Sequence, residues 1–153
     1  MGKIKTLASL KTEVSKLKQQ GKKIVFTNGC FDLIHPGHIK IFQDARKKGD
    51  VLIVGVNSDS SVKRIKPKGR PILNEKARIK ILEAIEVIDF VIVFKEKTPY
   101  NLIKTIKPDV LVKGGDWGRN KIIGSDLVKR VYRVKLCPGY STTNIIKRIK
   151  RSA

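Results

Sequence analysis

The chain has 153 residues, which suits one domain, and its 41% hydrophobic content in recurring apolar runs predicts a packed core rather than disorder. Its 34 lysines and arginines against 13 acidic residues give a net charge of +21, which favours polyanionic partners. No apolar run approaches the roughly 20 residues of a membrane span, and residues 1–14 lack a signal peptide's apolar core, so we expect a cytoplasmic protein without membrane association.

The positive charge is distributed along the chain rather than clustered. Few aromatic residues accompany the lysines, whereas a nucleic-acid surface more often shows a basic stripe or a known motif. We therefore expect phosphorylated small molecules rather than nucleic acid as partners. The sequence does not decide between a monomer and a homodimer. Cys30 and Cys137 match neither a zinc spacing nor a redox pair, which indicates reduced thiols.

In chain order, hydrophobic periodicity predicts alternating helices and strands. The first helix, residues 4–19, has one apolar face and ends at Gly21. The remaining helices are predicted at 35–49, 75–88 and 98–106, weakly around 124–130, and from 141 onward. The strands are predicted at 23–28, 51–56, 90–94, 109–113 and 131–136. Residues 57–74 are too polar and proline-containing to predict a core element.

Short apolar strands that alternate with helices predict an α/β fold: a single Rossmann-like, doubly wound domain with a parallel sheet of about five strands. The domain would span 1–153, with an N-terminal helix in 1–21 and the catalytic core in 22–150. Such sheets bind ligands beyond the carboxyl ends of their strands. Functional residues are therefore expected just after strands or in the first turns of helices.

The sequence HPGH follows the first predicted strand and opens a helix. His35 and His38 are three residues apart, so both can face one ligand, and Gly37 lets a phosphate approach the backbone. Two imidazoles at a helix N-terminus are suited to an anion. The alternative is that one histidine caps the helix and the other is a core residue.

Three further segments satisfy the same positional rule. Arg78 lies on the apolar side of its helix, where it either forms a structural ion pair or reaches a phosphate. The sequence KGGDW, residues 113–117, predicts either a ligand loop with a stacking Trp117 or a tight turn with a surface-packed ring. The sequence GYSTTN, residues 139–144, supplies N-cap hydroxyls that could also hold phosphate oxygens.

These residues resemble the nucleotidyltransferase superfamily marked by an HxGH motif, and within it the cytidylyltransferase-like branch. The likeness is greatest to the adenylyltransferase domain that makes ADP-heptose, which in many members is fused to a sugar kinase. This chain has no room for a kinase, so a stand-alone form is expected. The likeness covers nearly the whole chain and rests on the ordered set FTNGCFDLIHPGH, GVNSDSSVKRIK, GRPI, KPDVLVKGGDW and GYSTT.

The resemblance implies that a sugar phosphate attacks the α-phosphate of ATP and that pyrophosphate leaves, with Mg²⁺ held mainly by the triphosphate. It implies catalytic roles for His35, His38, Lys66 and Arg78. The nucleotide site would comprise Asn28, Gly29, Cys30, Phe31, Gly37, Lys113, Gly114, Asp116, Trp117, Ser141, Thr142 and Thr143.

One departure from the family bears on the substrate. Relatives that use CTP and glycerol 3-phosphate carry an Arg-Thr pair where this chain has Leu136 and Cys137. This argues against glycerol 3-phosphate as acceptor and leaves one cationic contact to be supplied by Lys113 or by the basic residues 63–70. The alternatives are cytidylyl or adenylyl transfer to another phosphorylated acceptor, of glycerol 3-phosphate or FMN type, and a binding module without catalysis.

Overall fold

The computed structural model describes residues 2–115, 118 and 121–153. Over these residues the chain forms alternating helices and strands, as the periodicity predicts. The helices are α1 Leu7–Gln19, α2 Pro36–Arg46, α3 Asp59–Ile65, α4 Glu75–Ala84, α5 Tyr100–Ile106 and α6 Thr142–Ser152. The strands are β1 Ile24–Gly29, β2 Val51–Asn57, β3 Phe90–Phe94, β4 Val110–Gly114 and β5 Arg130–Val134.

The five strands form one parallel sheet in the order β3-β2-β1-β4-β5. The chain order reverses between β1 and β4, which makes their carboxyl ends the switch point where doubly wound sheets bind ligands. The predicted fold class is therefore confirmed. HPGH follows β1, so the histidines begin α2 at this switch point.

Both faces of the sheet are covered, which explains why its strands are continuously apolar. Alternate residues of β1 point to opposite sides: Ile24 and Phe26 join a cluster with α1 and α5, whereas Val25 joins a cluster with α2 and α4. The helices supply Leu10 and Ile103 to the first cluster and Phe42 and Leu82 to the second, all fully buried.

Aspartates fix the opposite, amino edge of the sheet. Asp50, Asp89 and Asp109 accept the backbone N–H groups of Lys23, Leu52 and Ile24 at 2.7, 2.7 and 2.8 Å. Each carboxylate therefore ties the start of one strand to the start of its neighbour. This bracing is remote from the switch point and leaves the carboxyl edge free for a site.

The prediction that residues 57–74 contain no core element is wrong, because this stretch contains α3. Ser58 caps the helix, and Val62 packs with no exposed surface. Ser61 is equally buried, but its hydroxyl accepts from Asn57 Nδ2 at 2.9 Å and donates to the Glu96 carbonyl at 2.6 Å. Satisfied polar residues let a polar sequence enter the core.

Smaller differences concern element ends. The first helix starts at Leu7, because residues 3–5 pair with the edge strand β3 through Ile4 and Val91. The weakly predicted helix near 124–130 is a single 3₁₀ turn, Ser125–Leu127. Among the described residues, no helix is long and apolar enough to cross a membrane.

Candidate active site

A cavity of about 610 Å³ opens at the carboxyl ends of β1 and β4. It is bounded by the residues after β1, the first turn of α2, the end of β4, the chain after α3 and the start of α6. Thirteen predicted site residues line it together: Asn28, Gly29, Cys30, Phe31, His35, Gly37, His38, Lys66, Lys113, Gly114, Ser141, Thr142 and Thr143.

The histidine pair is held in place by the backbone of the first turn of α2. His35 is the N-cap, and its Nδ1 accepts the N–H of Gly37 at 3.1 Å. His38 Nδ1 accepts the N–H of His35 at 3.4 Å. Because each Nδ1 is an acceptor, the neutral rings carry their proton on Nε2. Each ring therefore presents an N–H donor on the side away from the backbone.

The two rings are stacked, with centroids 3.8 Å apart, and His38 also makes a T-shaped contact with Phe31, with ring centroids 5.4 Å apart. Burial lowers the pKa of His35. Burial, and secondarily the neighbouring His35, lowers the pKa of His38 to about 4. Both imidazoles are therefore neutral hydrogen-bond donors at pH 7 in the free protein. Capping uses only Nδ1, so it leaves Nε2 of both rings available to a ligand.

Since the sequence predicts a catalytic role for His35, Gly37→Ala is expected to lower kcat/KM by about 10- to 100-fold, because small displacements of catalytic groups carry penalties of this size. A Cβ at residue 37 would lie 2.8 Å from Cε1 and 2.9 Å from Nδ1 of His35, so the ring must move. Alanine is otherwise favourable in a helix, so stability should change by no more than about 1 kcal/mol. Steady-state kinetics measures the effect on kcat/KM, and urea denaturation measures the effect on stability. A folded variant with the wild-type kcat/KM would contradict the prediction.

His38 should also make stability depend on pH. Its pKa is about 4 in the folded protein, below the usual 6.5 or so of an unfolded histidine, so the unfolded state binds the proton first. The free energy of unfolding should therefore fall as pH drops from about 6.5 to about 4, by on the order of 3 kcal/mol in total from this group. His38→Gln should remove that part of the slope in urea denaturation at pH 7 and 4.5. An identical slope in both proteins would refute the assignment.

Cationic side chains line the cavity beside the histidines: Lys66, Arg70, Lys113 and Lys121. Lys113 is half-buried, and its Nζ donates to the Asn28 carbonyl at 3.2 Å. Burial, opposed by Cys30 and assisted by nearby Lys66, lowers the pKa of Lys113 to about 8. An anion bound here would restore the usual basicity of the lysine. The charge of this wall therefore favours an anion over a cation or a neutral ligand.

The start of α6 brings hydroxyl groups to the opposite wall. Ser141 is the N-cap and accepts the N–H of Asn144 at 3.0 Å, so N-capping is shown. Thr142 donates to the Leu33 carbonyl at 3.3 Å, which ties α6 to the chain after β1. These contacts place the amino end of α6 at the cavity, where Ser141, Thr142 and Thr143 line the same space as the histidines.

Arg78 is the exception among the catalytic predictions, and the structure shows the ion-pair alternative. The side chain is fully buried and does not line the cavity. Its guanidinium donates to the carbonyls of Cys30, Asn57 and Leu73 at 2.6, 2.7 and 3.1 Å, and to Asp59 Oδ1 at 2.9 Å. The direct phosphate contact predicted for Arg78 is therefore not what the structure shows: these hydrogen bonds fix the chain beneath the cavity.

Sequence reasoning missed an acidic residue and an apolar wall. Asp32 lines the cavity beside Arg70. Asp32 belongs to the motif FTNGCFDLIHPGH and Arg70 to the motif GRPI, so membership of these motifs was the sequence signal that could have identified both residues. The apolar wall comprises Ile41, Ile122, Ile123, Leu136 and Tyr140. The cavity lining therefore combines cationic side chains suited to phosphates with apolar side chains suited to a flat base or ring.

The predicted ligand-loop residues Asp116 and Trp117 lie outside the described residues. In the described part of the chain, no cluster of three or more His, Cys, Asp or Glu side chains could hold a metal ion. Over those same residues the cavity offers cations and neutral donors rather than a carboxylate cage.

Comparison with known proteins gives concordant matches. The chain matches the cytidylyltransferase-like family over residues 26–148. It is 52% identical over 149 residues to the bifunctional protein HldE of Aliarcobacter butzleri, covering 97% of this chain and 31% of that protein. For HldE of Geobacter metallireducens the identity is 51% over 154 residues, covering 98% and 31%. The chain thus spans about a third of the length of these curated relatives.

Solved structures agree with the fold. A lipopolysaccharide core biosynthesis protein from Thermoplasma volcanium superposes with a TM-score of 0.66 and 27% identity, covering 76% of this chain and 99% of that chain. A pantoate-beta-alanine ligase from Francisella tularensis gives a TM-score of 0.63 at 17% identity, covering 99% and 80%, and shows the fold alone.

Proposed function

The chain belongs to the cytidylyltransferase-like family, and we propose on that premise that it transfers AMP from ATP to a sugar 1-phosphate with release of pyrophosphate. D-glycero-D-manno-heptose 1-phosphate is the proposed acceptor and ADP-heptose the product. One observation carries the proposal: two neutral histidine donors, a group of lysine and arginine side chains and the amino end of α6 surround a single cavity.

The arrangement suits nucleotidyl transfer because this reaction needs positioning and charge neutralisation rather than a covalent nucleophile. An oxygen of the sugar phosphate attacks the α-phosphorus of ATP, and the bond to the bridging oxygen of pyrophosphate breaks. The Nε2–H groups of His35 and His38 would donate to phosphate oxygens as charge grows on them. Lys66 and Lys113 would neutralise the triphosphate, and the start of α6 would bind its oxygens.

Mg²⁺ is proposed as the cofactor, carried into the site on the triphosphate. The lining residues fit this arrangement rather than a protein-held metal, because the carboxylate of Asp32 is occupied by Arg70 and by two backbone N–H groups. When bound, the ion would offset phosphate charge. The protein's own task is then to orient the nucleotide and the acceptor.

The acceptor is inferred from the motif set and from the apolar residues near α6. Leu136 and Cys137 line the cavity where glycerol 3-phosphate enzymes have the Arg-Thr pair, and Leu136 is 64% exposed there. The similarity to a lipopolysaccharide core biosynthesis protein supports a sugar substrate. The alternatives to be tested are cytidylyl transfer, which would use CTP in place of ATP, and transfer to an acceptor of the FMN type.

Pyrophosphate release from each combination of ATP or CTP with heptose 1-phosphate, glycerol 3-phosphate or FMN would test the proposal. We expect turnover with ATP and heptose 1-phosphate and at least about tenfold lower kcat/KM for the other pairs. Turnover with CTP alone would reject adenylyl transfer, and turnover with glycerol 3-phosphate would reject the acceptor. Salt-sensitive nucleic-acid binding without any turnover would favour a binding module.

A further inference from the structure

The segment between α3 and α4 is fastened to the end of β1 by one buried carboxylate. Asp32 is 1% exposed. Its oxygens accept hydrogen bonds from the backbone N–H groups of Ile72 and Leu73, both at 2.8 Å, and from the Nε–H of Arg70 at 2.7 Å. Three donors thus converge on one side chain, so the position of residues 70–73 relative to β1 is fixed.

Asp32 stays ionised in this setting. Its burial alone would raise the pKa of the carboxyl group, but the hydrogen bonds from Leu73 and Ile72, together with Arg70, outweigh burial and hold the pKa below its usual value. With its oxygens occupied, the carboxylate is not available as a base or as a metal ligand. Its structural consequence is the orientation of the arginine.

Arg70 uses only part of its guanidinium on this ion pair. The side chain is 12% exposed and lines the cavity, and its contact with Asp32 is made through Nε. Within the described part of the chain, Nη1 and Nη2 have no hydrogen-bond partner. An arginine held at Nε presents its two terminal nitrogens as a fork, a geometry that matches two oxygens of a phosphate.

The surrounding charge also leaves the arginine available to an anion. Among the described residues, four lysine or arginine side chains and one carboxylate, that of Asp32, line the cavity. A single ion pair therefore does not neutralise this wall. An anionic ligand would complete the hydrogen bonding of Arg70 and reduce the repulsion among Arg70, Lys66 and Lys113.

We propose that Arg70 binds a substrate phosphate through Nη1 and Nη2, and that Asp32 is the positioning residue that holds its guanidinium toward the cavity. Arg70 thereby supplies the cationic contact that Leu136 and Cys137 cannot provide. The proposal rests on the proposed function for the identity of the phosphate, although anion binding itself does not depend on turnover.

The test compares four variants with the wild-type protein: Arg70→Gln, Arg70→Lys, Asp32→Asn, and the double variant that combines Arg70→Gln with Asp32→Asn. Calorimetric titration with inorganic tripolyphosphate measures anion binding without chemistry. Arg70→Gln should raise the Kd by about tenfold or more, as expected for a lost charge-assisted fork. Arg70→Lys should recover only part of the loss, because lysine keeps the charge without the fork.

Asp32→Asn should shift the Kd in the same direction, and the double variant should bind no worse than Arg70→Gln, because the two residues act as one unit. Lys76→Gln is the matched control, since Lys76 is an exposed lysine of α4 that does not line the cavity. It should bind tripolyphosphate within about twofold of wild type, allowing for long-range charge. Thermal denaturation reports whether each variant is folded.

Kinetics then identify the phosphate that Arg70 contacts. A KM raised for ATP alone would place the contact on the nucleotide, and one raised for the sugar phosphate alone would place it on the acceptor. An unchanged tripolyphosphate Kd together with unchanged KM values in folded Arg70→Gln would overturn the inference. If wild type shows no turnover but Arg70→Gln still weakens tripolyphosphate binding, the proposed function fails and this inference stands.

Discussion

Replacing His38 with alanine should lower kcat by on the order of 10²-fold or more, the usual effect of removing a transition-state donor. The same loss is expected for His35→Asn, because asparagine is a good N-cap but has no imidazole. In the structure the cap uses Nδ1 of His35, whereas the proposed catalytic contact uses Nε2. The asparagine variant therefore keeps a helix-capping side chain and removes the proposed catalytic donor.

Both variants are measured by initial rates at saturating substrate and by urea denaturation at pH 7. The expected pattern is a large fall in kcat with little change in the unfolding free energy of His35→Asn. A folded variant with near-wild-type kcat would remove that histidine from the catalytic site. If the stability of His35→Asn fell by several kcal/mol together with the rate, helix capping would be the main role of His35.

Arg78→Met should reduce the free energy of unfolding by about 3 kcal/mol, the lower end of the range for breaking a buried ion pair. The lower end applies because Asp59 is 32% exposed and can regain water. The substitution also leaves the Cys30 and Asn57 carbonyls without their donor, and these carbonyls lie at the ends of β1 and β2. For a domain of this size the melting temperature should fall by about 6–12 °C.

Lys80→Met is the matched control, because Lys80 is on the same helix, is 82% exposed and pairs with Glu83 at 3.2 Å. Its effect should stay within about 0.5 kcal/mol. A melting temperature of Arg78→Met close to that of Lys80→Met would show that the buried hydrogen bonds contribute little. If Arg78→Met kept its stability but lost anion binding, a phosphate contact rather than a structural role would be indicated for Arg78.

Local pattern was sufficient for most of the fold. The strands have apolar runs because both faces of the sheet are covered, and the amino ends of α2 and α6 have capping residues that are visible in the sequence. Once the sheet is parallel, topology places the residues after β1 and β4 at one edge. Thirteen predicted site residues therefore meet at one cavity, although sequence pattern says nothing about their side-chain contacts.

Long-range polar contacts were not predictable from pattern. Arg78 was placed correctly on an apolar face, but its partners Cys30, Asn57 and Asp59 come from two other segments of the chain. The pairing of Asp32 with Arg70 likewise joins residues 38 positions apart. Periodicity reports which way a side chain faces and carries no information about a distant hydrogen-bond partner.

Adenylyl transfer to a sugar phosphate is tested most directly by identifying the products. Purified protein, ATP, Mg²⁺ and heptose 1-phosphate would be incubated and analysed by phosphorus NMR and mass spectrometry. We predict ADP-heptose and pyrophosphate in equal amounts, with both formed at least about 10²-fold more slowly by His38→Ala under the same conditions. Free AMP or ADP without a nucleotide sugar, or a product that His38→Ala makes equally fast, would contradict adenylyl transfer at this site.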